Sequence, residues 1–388
     1  MDNIYFDNAA TTAVSDNVLN VINNMMTNCY ANPSAKHRFG FLAEKEIQEA
    51  SAIIAKILNC EPKEIIWTSG GTESNNFAIR SIVDSLKRKG NHIITSKIEH
   101  PSVKNVYKYL ESLGYQVDYI GVDKNGKFNI LDIKNSLKDD TIFVSLMHIN
   151  NEIGTVEDIE NISKIIKGYN KNIILHIDAV QSFTKLEIHP KTMGIDSLSV
   201  SGHKFHGPKG IGFLYIDKSI KINPLIFGGG QQNNMRSGTL NTPGICGLAE
   251  AAKNIYDDFN KYTSYLYSLR DYLIDSLDKL NNDINGIHLI TKKTIDFSPH
   301  IVSFAVENVR AEVMLHALED KKIYVSSGSA CSSKNKNISD TLLAIDLDKN
   351  LLDNTIRVSF SKYNTIREID IFINELKQII PTFRRFNK

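Results

Sequence analysis

Ser197-Leu198-Ser199-Val200-Ser201 alternates serine with apolar residues, the pattern of a short strand leaving a buried sheet. It ends in Gly202-His203-Lys204 and then in the turn Gly207-Pro208-Lys209-Gly210. A lysine at the mouth of a buried strand is an unusual use of the residue, because removing an ammonium from water is costly unless it neutralises or pairs. A desolvated, uncharged amine is what Schiff-base formation with an aldehyde requires. The plain alternative is a surface turn with incidental basic residues, where Lys209 is as good a candidate as Lys204.

The elements around this lysine place further chemistry at the same kind of position. Glu64–Thr68 reads as a strand, and Ser69-Gly70-Gly71-Thr72 then opens a helix running to about Lys87. Free N–H groups and the helix dipole make such a start an anion cup. It is neither GxGxxG nor a P-loop, since no GK[ST] follows. Strand 92–95 leads into Glu99-His100-Pro101-Ser102, strand 141–147 into a loop with Asn151, and strand 173–177 into Asp178-Ala179-Val180-Gln181. Thr72, His100, Asn151, Asp178, Gln181, His203 and Lys204 thus recur just past strand ends. Strands alternating with helices predict a mostly parallel sheet covered on both faces, and ligands of such sheets sit beyond the carboxyl ends of the strands.

At 388 residues the chain exceeds the size at which a single core stops growing, so two domains are expected. After a long helical run from about Gly244 to Leu280, with interruptions, the remainder reads as a smaller α+β unit ending in helix 366–380. Lys plus Arg (45) nearly balance Asp plus Glu (44), which leaves no global field for nucleic acid or an acidic membrane. The N-terminus has no charged-then-apolar leader, and no apolar run approaches the roughly 18 residues that span a bilayer. Of the four cysteines, Cys29, Cys60 and Cys246 read as small buried residues of a cytoplasmic protein. Cys331 differs: it sits in the small, polar stretch Ser-Gly-Ser-Ala-Cys-Ser-Ser-Lys-Asn-Lys, with Lys334 and Lys336 nearby, as accessible reactive thiols do.

From end to end these segments resemble the cysteine desulfurases of the NifS/IscS branch, in the class V group of fold-type I pyridoxal-phosphate enzymes. The resemblance is carried by Tyr5-Phe6-Asp7-Asn8-Ala9-Ala10-Thr11-Thr12, Thr68-Ser69-Gly70-Gly71-Thr72-Glu73-Ser74-Asn75, Asn150-Asn151-Glu152-Ile153-Gly154, Ser201-Gly202-His203-Lys204, Arg236-Ser237-Gly238-Thr239 and Ser326-Ser327-Gly328-Ser329-Ala330-Cys331. It implies an α/β fold of the pyridoxal-phosphate-dependent transferase type I, with a mostly parallel, seven-stranded sheet. The large cofactor-binding domain is expected over residues 15–255. A small domain over 1–14 and 256–388 is expected to carry the cysteine loop, about 327–339.

The resemblance also implies roles. Lys204 would hold pyridoxal 5'-phosphate covalently and select itself over Lys209. Asp178 would pair with the pyridine nitrogen, Gln181 with the phenolic oxygen, and Asn151 would lie near that oxygen and the substrate. His100 would stack on the ring and move protons. Gly71, Thr72, Ser201 and His203 would form the phosphate cup, Thr239 would reach the phosphate of the neighbouring subunit of a homodimer, and Arg357 would clamp the substrate carboxylate. Cys331 would take sulfur from L-cysteine, leave L-alanine, and pass the persulfide to an acceptor protein in iron–sulfur assembly or thiolation of tRNA or a cofactor. A selenocysteine lyase, another class V enzyme, or a silent sulfur-transfer subunit are the alternatives. The chain departs from the family pattern at Gln232-Asn233-Asn234, Ala31, Ala35, Ser361 and the segment after Cys331.

Overall fold

The computed structural model describes residues 3–327 and 338–386. Its largest sheet has seven strands in the order Ile65–Thr68, Gly212–Ile216, Ser197–Ser201, Ile174–Asp178, Thr141–Met147, His92–Ser96 and Gln116–Ile120. The last five are parallel, as expected; Gly212–Ile216 runs antiparallel to both its neighbours. The chain between Ser201 and Gly212 is too short for the helical crossover that a parallel return requires, so the strand turns straight back. Gly212 is needed there: a Cβ would lie 2.4 Å from the Val200 carbonyl oxygen and 2.7 Å from the Cα of Gly70.

Alternate residues of the strands feed apolar layers on both faces. Trp67, Phe213, Tyr215, Val144 and Leu175 pack on one face with residues of helices Asp16–Thr27, Arg38–Leu58 and Thr242–Tyr256. Ile66, Leu214, Ile93 and Phe143 pack on the other with helices Gly71–Leu86 and Pro101–Ser112. The first layer continues without a break into Val302, Phe304, Ile356 and Val358 of a second, antiparallel sheet. That sheet has the order Ser326–Ser327, Thr355–Ser359, Ile301–Val306, Ile287–Leu289. A parallel pair joins Ile4–Tyr5 to Ile323–Tyr324.

Local partners set the helix bounds and carry the last helix beyond its expected end at 380. His37 caps the second helix, its Nδ1 accepting the Gly40 N–H at 3.1 Å, so that helix starts at Arg38. The long run after Gly244 is two helices, Thr242–Tyr256 and Phe259–Ile284. The last helix passes through Pro381 to Phe386, because Arg384 donates to the carbonyls of Glu307, Ile284 and Gly286 and holds the final turn in place.

Candidate active site

The carboxyl ends of the parallel strands open onto a cavity of about 530 Å³. Gly71, Thr72, His100, Asn151 and Asp178 line it, and so do Gln181, Ser201, His203, Lys204 and Arg357. Of the residues expected at the site, these ten converge. Thr239 is exposed and lies outside this cavity. Cys331 is outside the described residues.

At one end, helix Gly71–Leu86 begins with no side-chain cap, so the N–H groups of its first turn, which no helix can satisfy internally, face this region as donors. Gly71 is required by space, since a Cβ would meet Val180 Cγ2 at 2.6 Å. Ser201 and His203 complete this end. The His203 ring is pushed down to about 4 by burial and by the Lys204 and Lys209 charges, so it is neutral at physiological pH.

Lys204 ends the single 3-10 turn that follows strand Ser197–Ser201. Its Nζ donates to the carbonyls of Ala9 (2.7 Å) and Ala10 (2.8 Å), which fixes the amine at the cavity wall. The Ala9 segment is itself tied down, because the Thr12 hydroxyl donates to the His203 carbonyl at 3.0 Å. Gln181 donates to the Ala9 carbonyl at 2.9 Å, and its Oε1 faces His300 Nε2 at 3.3 Å.

Asp178, the last residue of its strand, accepts the Val180 N–H (3.0 Å) on one oxygen and the Asn75 amide (2.8 Å) on the other. His100 caps helix Pro101–Ser112, and its Nδ1 accepts the Ser102 N–H at 3.1 Å. Burial lowers the affinity of this ring for a proton, against the attraction of Asp178 and with the repulsion of Lys204. Glu99 beside it is fully buried and pushed up to about 8 by burial, so it is mostly protonated near neutrality.

At the other end, Arg357 projects from strand Thr355–Ser359 and donates to the Asn151 carbonyl and to Asp7 Oδ1, each at 2.7 Å. Among the described residues its buried Nε has no partner. The segment that contains Cys331 is rooted here on both sides. Ser326–Ser327 pairs with Ile356 and Arg357, while Ser339 donates to Glu152 at 2.5 Å and Asp340 pairs with Lys104. Asp7, Asn75, Glu99, Ser102 and Glu152 are the site residues that sequence reasoning missed as contributors. Each lay within a motif already singled out, but nothing in its type marks it off from a turn or cap residue.

The loop carrying Thr239 is pinned elsewhere. Gln232 presents its amide to the edge strand like a neighbouring backbone, accepting from the Trp67 N–H (2.7 Å) and donating to the Trp67 carbonyl (2.9 Å). Arg236 forks onto Glu73 at 2.7 and 3.2 Å. Among the described residues no group of three or more His, Cys, Asp or Glu could hold a metal ion, and no helix is long and apolar enough to cross a membrane.

The class-V aminotransferase family profile matches residues 4–372. The chain is 40% identical over 381 residues to the cysteine desulfurase IscS of Dictyoglomus turgidum, covering 98% of this chain and 95% of that one. It is 39% identical to a NifS/IcsS protein homolog of Lactobacillus delbrueckii subsp. bulgaricus, over 99% of both chains. A solved NifS-like protein superposes with a TM-score of 0.92 at 35% identity, covering 98% of this chain and all (100%) of the other. SspA in complex with cysteine does so with 0.78 at 32% identity, covering 93% and 100%. Members of these families are pyridoxal-phosphate-dependent. The ends of four of the five parallel strands, with the helix start at Gly71, thus converge on one lysine, carboxylate and imidazole in a chain that belongs to the class-V aminotransferase family and, within it, to the NifS/IscS cysteine desulfurases.

Proposed function

We propose that this chain is a pyridoxal-phosphate-dependent cysteine desulfurase that converts L-cysteine to L-alanine and holds the sulfur on Cys331 as a persulfide. The observation that carries the reading is the convergence of Lys204, Asp178, His100 and the uncapped helix start at Gly71 on one cavity. The residues fit the group: a primary amine for its aldehyde, a buried carboxylate for its ring nitrogen, and an N–H cradle at a helix start where a Cβ on Gly71 would collide with Val180. When bound, the cofactor supplies an electron sink that makes the substrate Cα proton acidic and its Cβ–S bond labile.

The chain's own residues would do the rest. Lys204 holds the aldehyde and, once freed, moves the Cα proton; His100 relays protons from a ring kept neutral by burial. Arg357, oriented by Asp7 and Asn151, clamps the substrate carboxylate. Gln181 and Asn151 bind polar atoms of cofactor and substrate, and Thr72, Ser201 and His203 support the phosphate. The Cys331 thiolate attacks the substrate sulfur, so that an S–S bond forms as the Cβ–S bond breaks. The electron pair goes to Cβ, which takes a proton and leaves in alanine. The anchoring of Ser326–Ser327 on the strand of Arg357 and of Ser339 on Glu152, which flank Cys331 in sequence, supports delivery of that thiol to this cavity.

The wider reading is a cytoplasmic homodimer, with residues 15–255 holding the cofactor and residues 1–14 and 256–388 carrying Cys331. Thr239 would complete the neighbouring subunit's phosphate site. Phe227, which is 83% exposed on the same loop, and a groove of about 960 Å³ beside edge-strand residue Trp67 support a partner subunit on that face. The sulfur acceptor is an iron–sulfur scaffold or a tRNA- or cofactor-thiolation protein. Cys331→Ser tests the chemistry: it should abolish sulfide release from L-cysteine while the absorbance of the lysine-bound cofactor persists. Undiminished release would refute the assignment.

A further inference from the structure

Asn75 sits in the first turns of the helix that begins the anion cup, and it is 1% exposed. Its Nδ2 lies 2.8 Å from Asp178 Oδ2 and 2.9 Å from Ser102 Oγ, and its Oδ1 lies 3.2 Å from Nε2 of His176. A carboxylate only accepts, so the amide nitrogen must be the group that faces Asp178. The second amide hydrogen then goes to Ser102, and the amide oxygen takes the His176 N–H. His176 is fully buried and its other nitrogen meets Ser197 Oγ at 2.9 Å, so the amide is held from behind.

The order continues to the imidazole. Ser102 Oγ accepts from Asn75, which leaves its own hydrogen to donate to His100 Nδ1 at 2.8 Å. That nitrogen also accepts the Ser102 N–H. With two donors on Nδ1, the proton of the neutral ring is confined to Nε2. One amide therefore steadies the carboxylate and, through one hydroxyl, selects the tautomer of the imidazole.

We propose that Asn75 is a positioning residue, with Ser102 as its relay, that sets the Asp178 carboxylate and the His100 tautomer together before any cofactor or substrate arrives. The proposal rests on the cofactor reading above. Its reach is geometric: the same helix offers its N-terminus to an anion and its Asn75 side chain to Asp178, so the two anchors of the cofactor move as one unit.

The test uses the full-length protein with pyridoxal phosphate as the probe, and two readouts: cofactor affinity by absorbance titration, and the ring ¹⁵N resonances of His100 without cofactor. Asn75→Asp keeps the shape but replaces a donor by a second carboxylate against Asp178. It should weaken cofactor binding by about tenfold or more, the loss expected for a hydrogen bond to a charged group. Ser102→Ala, which leaves the arm to Asp178 intact, should change affinity less than about threefold, roughly half the free energy of a tenfold effect. It removes one of the two donors on His100 Nδ1, so the ring resonances should shift towards a larger share of the Nδ1–H tautomer against the Ser102 N–H that remains. A packing role for Asn75 predicts that Asn75→Asp binds like the parent. That result, or unmoved His100 resonances in Ser102→Ala, overturns the proposal. If Asn75→Asp does not fold, Asn75→Ser carries the affinity comparison with the same expected loss. A parent protein that binds no pyridoxal phosphate overturns the cofactor reading instead, and is distinguished by failing before any substitution is made.

Discussion

Individual side chains divide by what their chemistry reveals without a fold. Lys204, Asp178 and His100 were legible only as members of a set of polar residues recurring past apolar strand ends, and the resemblance, not their types, singled out each one and its role. Asn75 and Ser102 were not, since an amide and a hydroxyl in a first helical turn look like capping residues until their partners are known. The Asp7–Arg357 pair was hidden for another reason, as its members stand at opposite ends of the chain. Arg357 is mostly buried and anchored at both terminal nitrogens, with Nε left over among the described residues. Arg357→Ala should therefore raise the KM for L-cysteine by about tenfold or more, as loss of a charge-assisted contact does, with cofactor absorbance unchanged. An unaltered KM in steady-state alanine production would remove Arg357 from the carboxylate site.

Elements were legible where period and punctuation agreed and obscure where partners were remote. Strands His92–Ser96 and Thr141–Met147 stand where the sequence pattern puts them. The continuous apolar run in 212–216 shows a strand but not its direction, which the short connection decides. Residues 323–327, contiguous in sequence, are shared between two sheets. Ile323–Tyr324 joins the N-terminal strand and Ser326–Ser327 the sheet of Arg357, a choice made by distant partners. Pro381 marks a helix end by local rules, yet Arg384 overrides it with bonds to three backbone carbonyls. Arg384→Ala should release that last turn and cost about 1–3 kcal/mol by chemical denaturation. A loss below measurement error would assign the continuity of the helix to another cause.

Across the molecule the sheet order was legible only as a class, because strand order depends on which faces each helix covers. The consequence for stability lies in its buried histidines. His148, His203 and His206 are pushed down to about 4 and His176 to about 3, chiefly by burial, and burial also carries His300 well below its ordinary value. These rings stay neutral in the folded protein, while the unfolded chain takes up their protons below about 6.5. Their contribution is thus present above about 6.5 and is lost as pH falls towards 4. Glu99 and Glu157, raised to about 8, act in the opposite sense, stabilising at low pH and losing that contribution as pH rises from their ordinary range towards 8. More histidines than carboxyls titrate between pH 7 and 5, so the thermal midpoint of the cofactor-free protein should fall over that interval. A midpoint that holds or rises at pH 5 would contradict this balance.

The central claim is that the site extracts sulfur from cysteine, and the direct measurement is alanine formed from L-cysteine by the cofactor-loaded protein in the presence of a thiol reductant. Alanine should appear with an equal amount of sulfide, and Lys204→Ala should form neither. Cofactor-loaded protein that turns over cysteine to no alanine, or a Lys204→Ala variant as active as its parent, would contradict the account.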